Sequence, residues 1–320
     1  MTADTVLIVT ASYDVAADYV LKSLRQRGTP AFRLNTDQFP SRVKAFFRPP
    51  KDIEFMQEED GKTVLGPSIK SVWYRRHVSP DLPAELDAGI RDFCERETRA
   101  FLDGVLASLP TERFMSPPLA IIRAERKPYQ LSIASELGFM LPKTIMTNNP
   151  VPVVEMAQSH QLVAKAVSSG YIASPEGNRA IFTSILKSKD LEDLGGLAVA
   201  PVTFQEFIDK VSDIRVTVVA GEVFAAEILS QECESSRVDW RATDDPHLVH
   251  RIHKLPDEIA GLCRKLVINL GLSFGAIDLA LKSDGSYIFL EINPNGEWVW
   301  LEDQLGFPIS DRIARWLDTV

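Results

Sequence analysis

Residues 274–298, FGAIDLALKSDGSYIFLEINPNGEW, constrain the chain more than any other stretch. Two strand-like runs, 275–282 and 287–293, flank Asp284-Gly285, the dipeptide that most readily supplies the positive φ angles of a two-residue type I′ turn. With Asp284 and Gly285 as the loop, Ser283 faces Ser286, and counting back along both strands sets Asp278 opposite Glu291. Directly opposed side chains on one face stand about 4.5–5.5 Å apart at Cβ, so two bare carboxylates there repel. Alternation adds Asn293 to the face of Glu291 and turns Ile288, Leu290 and Ile292 toward a core. Oxygen donors without sulfur or imidazole form a hard site of the kind that holds Mg²⁺ against phosphate oxygens. The same pattern also describes a solvated acidic face on an edge hairpin.

The 320 residues exceed one average domain, which predicts two or three domains with a sizeable core. A composition of 45% hydrophobic and 25% charged residues is that of an ordinary globular protein. The net charge of −9 argues against a general nucleic-acid or membrane surface, though it leaves room for a local basic pocket. Cys94, Cys233 and Cys263 are odd in number and lack CxxC spacing, so neither a disulfide framework nor a thiolate metal site is indicated. No stretch approaches the ~20 apolar residues of a membrane span, and Asp4 stands where a secretory signal would carry a basic residue. These features predict a cytoplasmic protein.

Residues 5–10, TVLIVT, read as a buried strand, 15–27 as a helix closed by Gly28, and 31–35 as a second strand, an opening that implies a parallel sheet. Strands follow around Asp60-Gly61 and at 71–75, and residues 86–109 form an amphipathic helix with Ile90, Phe93, Thr98, Phe101, Leu102 and Val105 along one stripe. The prolines of 110–118 mark a domain boundary. Pro128 then opens a helix that Gly138 stops. Short strands are expected at 143–147, 162–167 and 181–186, a hairpin at 213–229 turning at Ala220-Gly221, and a helix at 258–270.

Lys165 stands inside the apolar run LVAKAV, where a lysine either meets a fixed anion or snorkels from a sheet edge. Residues 204–208, FQEFI, offer exposed backbone and aromatic cover to an adenine edge, as many hinges do. Asp213 and Arg215 share a strand face, and Arg237 and Arg241 follow in a turn-rich loop. Guanidinium groups grip phosphate or carboxylate bidentately, yet loop arginines also pair with neighbours such as Asp239, Asp244 and Asp245. His247, His250 and His253 recur at spacing three without a fourth ligand nearby, which disfavours a zinc site.

Taken in order, Lys127 in AERKPYQ, LGFMLPKT, Lys165 in VAKAV, Gln205-Glu206-Phe207-Ile208, Asp213-Ile214-Arg215, Asp278 in GAIDLAL and Glu291-Ile292-Asn293 in LEINPNGEW resemble the ATP-grasp superfamily of carboxylate ligases. The C-terminal half is similar to ribosomal-protein glutamate ligases, whereas TASYDVAADYV, FRLNTDQFP and VWYRR near the N-terminus resemble the microviridin-type, or graspetide, peptide maturases. His77 departs from that pattern, standing where proline is expected after the paired arginines.

The resemblance implies an α/β chain with an ATP-grasp fold, two α+β lobes gripping ATP, preceded by an N-terminal parallel-sheet pre-ATP-grasp domain. It places the pre-ATP-grasp domain at 1–116, a small central lobe at 117–203 and a C-terminal lobe with the metal site at 204–320. Lys127 and Lys165 would hold ATP phosphates, the backbone of Glu206, Phe207 and Ile208 the adenine, and Asp213 the ribose. Asp278, Glu291 and Asn293 would hold Mg²⁺, expected as two ions. Arg215 and Arg237 would steady the γ-phosphate and acyl phosphate, and Arg241 would reach the same pocket toward the substrate.

The implied activity is ATP-dependent activation of Asp or Glu side chains in a ribosomal precursor peptide, with its leader and core, followed by ester or amide closure onto Ser, Thr or Lys. Residues 168–178 are expected to form a mobile flap over the phosphates. No residue stands out as a general base, and a homodimer is compatible with the sequence. A ligase that adds a free amino acid, or a regulatory protein that binds ATP without turnover, would carry many of the same residues.

Overall fold

The computed structural model describes residues 4–168, 170–172, 179–242 and 248–319. The chain divides into two compact units, one of residues 1–121, 271–274 and 295–320, the other of residues 122–270 and 275–294. The first division along the chain falls at 121/122, where the sequence analysis set its first boundary at 116/117. Residues 295–320, assigned from sequence to the C-terminal lobe, group with the first unit instead.

In the first unit Thr5–Thr10 is the middle strand of a three-stranded parallel sheet, between Ala31–Asn35 and Ile69–Tyr74. Its continuous apolar run suits a strand covered on both faces. Asp14 caps the helix Val15–Arg27 by accepting from the Ala16 N–H at 3.2 Å, and Gly28 ends it in the left-handed region at φ +73°. A second, antiparallel sheet runs Val43–Arg48, Asp52–Gln57 and Thr63–Leu65; the first of these strands was not read from sequence. The C-terminal helix Ile309–Thr319 is tied to the parallel sheet where the Ser71 hydroxyl donates to the Leu317 carbonyl at 2.6 Å and the Lys70 ammonium to Asp318 at 3.0 Å. The long helix Ala88–Ala107 buries Thr98, Leu102 and Val105 as expected, but leaves Ile90 51% and Phe93 55% exposed. Periodicity reveals which side of a helix is apolar, not how far along it the packing partner extends.

The second unit contains a four-stranded antiparallel sheet and a five-stranded sheet. The first has the order Ser184–Ile185, Leu162–Lys165, Val202–Glu206, Thr144–Thr147, over a core of Val153, Leu162, Leu197 and Phe204. The second runs His250–Ile252, Glu222–Ile228, Ser212–Val219, Phe274–Leu281, Tyr287–Asn293. The expected lobe boundary at 203/204 falls inside the strand Val202–Glu206, and the two sheets are joined after it. The predicted helix starting at Pro128 is Lys127–Glu136, with Gly138 beyond it at φ +93°.

The hairpin at the centre of the sequence reading is present with a different turn. Leu281 pairs with Tyr287, Ala280 with Ile288 and Leu279 with Phe289, and the Lys282 N–H donates to the Ser286 carbonyl at 3.0 Å. The loop is thus Ser283-Asp284-Gly285, with Gly285 alone at positive φ (+83°), a three-residue hairpin rather than a type I′ turn. A register shift between Asp278 and Leu279 then adds one residue on the opposite strand and restores the pairing of Asp278 with Glu291. The extra residue is Leu290, which is only partly buried and lines the cleft described below instead of the core.

The other hairpin does use a two-residue loop of positive φ, Ala220 at +48° and Gly221 at +86°, and Ala220 is the one non-glycine residue at positive φ among the described residues. A Cβ in the left-handed region costs about 1 kcal/mol, whereas asparagine tolerates it. Ala220→Asn is therefore expected to raise stability by about 0.5–1 kcal/mol, read as a higher denaturant midpoint at unchanged slope. A lower midpoint would contradict the assigned turn.

Candidate active site

Glu291 lies at the centre of a cluster of fixed charge. Its side chain is 18% exposed; Oε2 accepts from the Lys127 ammonium at 2.6 Å and Oε1 from the Arg241 guanidinium at 2.7 Å. Across the strand pair, Asp278 is buried and takes Arg215 Nη1 with both oxygens, at 2.9 and 3.0 Å. Burial pushes the Glu291 carboxyl up, but Lys127, Arg241 and Lys165 overturn that effect and hold it well below the ordinary carboxylate range. The acid is therefore ionised at neutral pH.

Backbone architecture puts these groups in place. Tyr287–Asn293 is the edge strand of its sheet, and its outer backbone groups are taken up within the unit: the Phe289 N–H donates to the Met140 carbonyl at 2.8 Å. Buried Gln130 accepts from the Ile292 N–H at 3.2 Å and donates to the Ile292 carbonyl at 2.7 Å. Gln130 lies one turn along the helix that begins at Lys127, so the contacts that dock this helix on the strand also bring Lys127 to Glu291. Nothing in the sequence pattern marked Gln130 as more than a polar helix residue.

Lys165 belongs to an interior strand, with Nζ donating to Gln205 Oε1 at 2.9 Å, so it does not snorkel from an edge. Burial pushes its ammonium pKa down and the nearby Glu291 carboxylate opposes the shift. Asp213 is buried against Lys210 at 2.8 Å and accepts from the Ser230 hydroxyl at 2.6 Å; burial raises its carboxyl pKa and Lys210 opposes that. Glu206, Phe207 and Ile208 line the same cleft as Lys165, Asp213, Asp278 and Glu291. There the Phe207 N–H is committed to the Gln161 carbonyl at 2.8 Å. Asn293 borders an adjoining polar chamber with Lys127, Arg241 and Glu291.

The two loop arginines differ. Arg241 faces Glu291, whereas Arg237 is exposed, donates from Nε to the Gln231 carbonyl at 3.3 Å and does not appear in the cleft wall. Arg241 also bonds Asp239 at 2.9 Å, the neighbour pairing that the sequence offered for a loop arginine. Lys210 and Thr183, which also line the cleft, were not singled out from sequence; Gln205 was read only as part of the 204–208 segment and Asp239 only as a neighbour of the loop arginines. The predicted flap is described only in part. Tyr171–Ile172 and Arg179–Ala180 pair as a short hairpin whose Tyr171 and Ala180 border the cleft, while residues 169 and 173–178 lie outside the described residues.

The donor set fits Mg²⁺ with phosphate. Asp278 and Glu291 face one another across paired strands, Asn293 supplies an amide oxygen, and among the described residues no group of three His, Cys, Asp or Glu side chains is gathered into a protein-only metal site. Such a partial oxygen set would leave positions on Mg²⁺ for nucleotide oxygens and water. Lys127, Lys165, Arg215 and Arg241 concentrate positive charge where a triphosphate would need it.

Removing one partner of a largely buried ion pair strands the others. Glu291→Gln is expected to destabilise the protein by about 3 kcal/mol at neutral pH, since Lys127, Lys165 and Arg241 then face one another. Because the folded carboxyl lies below its ordinary value of 4.5, the stabilisation is present above that value and lost as pH falls through the depressed one. The gap between wild type and variant in urea denaturation should therefore shrink as the solution is acidified below pH 4.5. A gap constant with pH would contradict the assignment.

A family model described as the MvdD pre-ATP grasp domain matches residues 5–122. No curated protein matches the chain. Among solved structures, the macrocyclase MdnC from Microcystis aeruginosa MRC, bound with precursor peptide MdnA, is 34% identical and superposes with a TM-score of 0.87 over 98% of this chain and 99% of that one. A RiPP-associated ATP-grasp ligase of Chryseobacterium gregarium, in complex with ADP and a leader and core peptide, is 30% identical with a TM-score of 0.88 over 99% and 96%. The macrocyclase MdnB, also from Microcystis aeruginosa MRC, is 33% identical with a TM-score of 0.82 over 99% and 100%. With about a third of its residues shared over essentially the full length of these enzymes, and with the acids and cations of the cleft gathered as described, the chain belongs to the RiPP-associated ATP-grasp macrocyclases.

Proposed function

We propose that this protein activates an Asp or Glu side chain of a ribosomal precursor peptide with ATP, as an acyl phosphate, and closes an ester or amide link onto Ser, Thr or Lys, releasing ADP and phosphate. The observation that carries the proposal is the facing pair Asp278 and Glu291 ringed by Lys127, Lys165, Arg215 and Arg241. Carboxylate attack on a polyphosphate brings anions together, and a cleft of this charge lowers that barrier. Mg²⁺, when bound, supplies further charge neutralisation on the triphosphate.

Within this reading Lys127 and Lys165 bind phosphate oxygens, Glu206 to Ile208 border the adenine, and Asp213, fixed by Lys210, meets the ribose. Asp278, Glu291 and Asn293 would hold Mg²⁺, two ions on this reading; Glu291 lines both the cleft and the adjoining chamber. Arg215 and Arg241 steady the transferring phosphoryl group. The part given to Arg237 from sequence passes to Arg241, since Arg237 points to its own loop. The short hairpin bearing Tyr171 covers the phosphates and keeps water from the acyl phosphate. The partners are thus ATP and the leader and core of the precursor, and the free thiols Cys94, Cys233 and Cys263 fit a cytoplasmic location.

Incubation with ATP, Mg²⁺ and a precursor carrying leader and acidic, hydroxyl-bearing core tests the reading by mass spectrometry. Each link should remove one water mass and release one ADP, and Asp278→Asn should lower both rates by about 100-fold or more. A mass gain would instead indicate addition of a free amino acid, and nucleotide binding without turnover would indicate a regulatory protein.

A further inference from the structure

Asp239 is a buried carboxylate beside the cleft that the roles above leave without a task. Its Oδ1 accepts from the Arg241 backbone N–H at 3.2 Å and from Arg241 Nε at 2.9 Å, and its Oδ2 accepts from Arg241 Nη2 at 3.2 Å. Two parallel N–H···O bonds of this kind fix the plane of a guanidinium as well as its position. The remaining corner, Nη1, is the one that reaches Glu291 at 2.7 Å. Asp239 therefore occupies one edge of Arg241 and leaves the opposite side to face the anion in the cleft.

The carboxylate is itself held from both sides. Lys210 donates to the neighbouring Val238 carbonyl at 3.3 Å, and the Ser236 hydroxyl donates to the Ser230 carbonyl at 2.7 Å, pinning the loop that carries Asp239. Oδ2 also accepts from the Thr183 hydroxyl at 3.2 Å, and Thr183 directly precedes the strand Ser184–Ile185 of the other sheet. Without Asp239, Arg241 would keep only the single contact of Nη1 with Glu291: its side chain is 48% exposed, and one contact at the tip of a flexible stem does not fix the plane of the guanidinium. A residue needed only for charge would not be half-neutralised by an adjacent acid.

We propose that Asp239 is a positioning residue that locks Arg241 in one orientation toward the terminal phosphate of a bound nucleotide, so that Arg241 discriminates a triphosphate from a diphosphate. This rests on the reading of the cleft as a nucleotide site. The test compares the full-length wild type with Asp239→Asn, Arg241→Gln and the double variant by two readouts. Without nucleotide, the Arg241 Nε–H should give a resolved, slowly exchanging side-chain NMR signal in the wild type that is lost in Asp239→Asn while the rest of the spectrum is retained. By calorimetry, the preference for Mg-AMPPNP over Mg-ADP should fall about tenfold in Asp239→Asn, fall equally in Arg241→Gln, and fall no further in the double variant.

Persistence of the NMR signal in Asp239→Asn would overturn the proposal. So would equal weakening of both nucleotides, additive losses in the double variant, or an unchanged preference in Arg241→Gln. A wild type that binds neither nucleotide would refute the nucleotide reading, and the NMR readout would still show whether Asp239 holds Arg241.

Discussion

Two carboxylates set directly opposite on one face of a sheet are unfavourable unless something of opposite sign lies between or around them. Asp278 and Glu291 are placed in that way, and the surrounding structure is organised by the need to answer their charge. Arg215 takes Asp278 from the neighbouring strand, while Lys127 arrives on a helix, Arg241 on a loop and Lys165 on a second sheet. Each cation comes from a different element, so the cluster ties the elements of the second unit to one point. On the proposed reading the same charges would hold a metal triphosphate, so that stability and function would draw on one set of interactions.

The geometry depends on backbone devices more than on the acids themselves. The extra residue at Leu290 shifts the hairpin by one position between its turn and its acidic pair, and without it Asp278 and Glu291 would not be opposed. Gln130 and Met140 occupy the outer backbone groups of the edge strand and so fix the helix that brings Lys127. Asp239 performs a comparable service for Arg241. Residues outside the acidic pair and its cations thus govern the placement of the cluster.

Much of the fold was legible because its signals are local. Gly28 and Gly138 end helices, Pro128 opens one, and the alternation in 275–293 is that of a hairpin. The acidic pair was found from sequence, yet through two compensating departures: the loop has three residues where two were expected, and a bulge restores the register. Turn chemistry and bulges are set by packing that alternation does not encode. Arg241 and Arg237 could not be ranked from spacing alone, since a turn-rich loop gives no period from which to read direction. Gln130 and Lys210 remained hidden because their roles arise from contacts, such as that of Gln130 with Ile292, that only the folded chain creates, whereas Asp239 was legible as a neighbour of the loop arginines but not as the partner of Arg241 in particular. The return of residues 295–320 to the first unit was likewise invisible to local pattern.

If the facing acids hold a divalent cation whose other ligand is a polyphosphate, nucleotide and metal must bind together. Calorimetric titration of the wild-type protein with ADP, in Mg²⁺ and in excess chelator, measures this most directly. The structure predicts an affinity about tenfold or more higher with Mg²⁺, a difference that disappears in Asp278→Asn. Equal ADP affinity with and without Mg²⁺ in the wild type would contradict it.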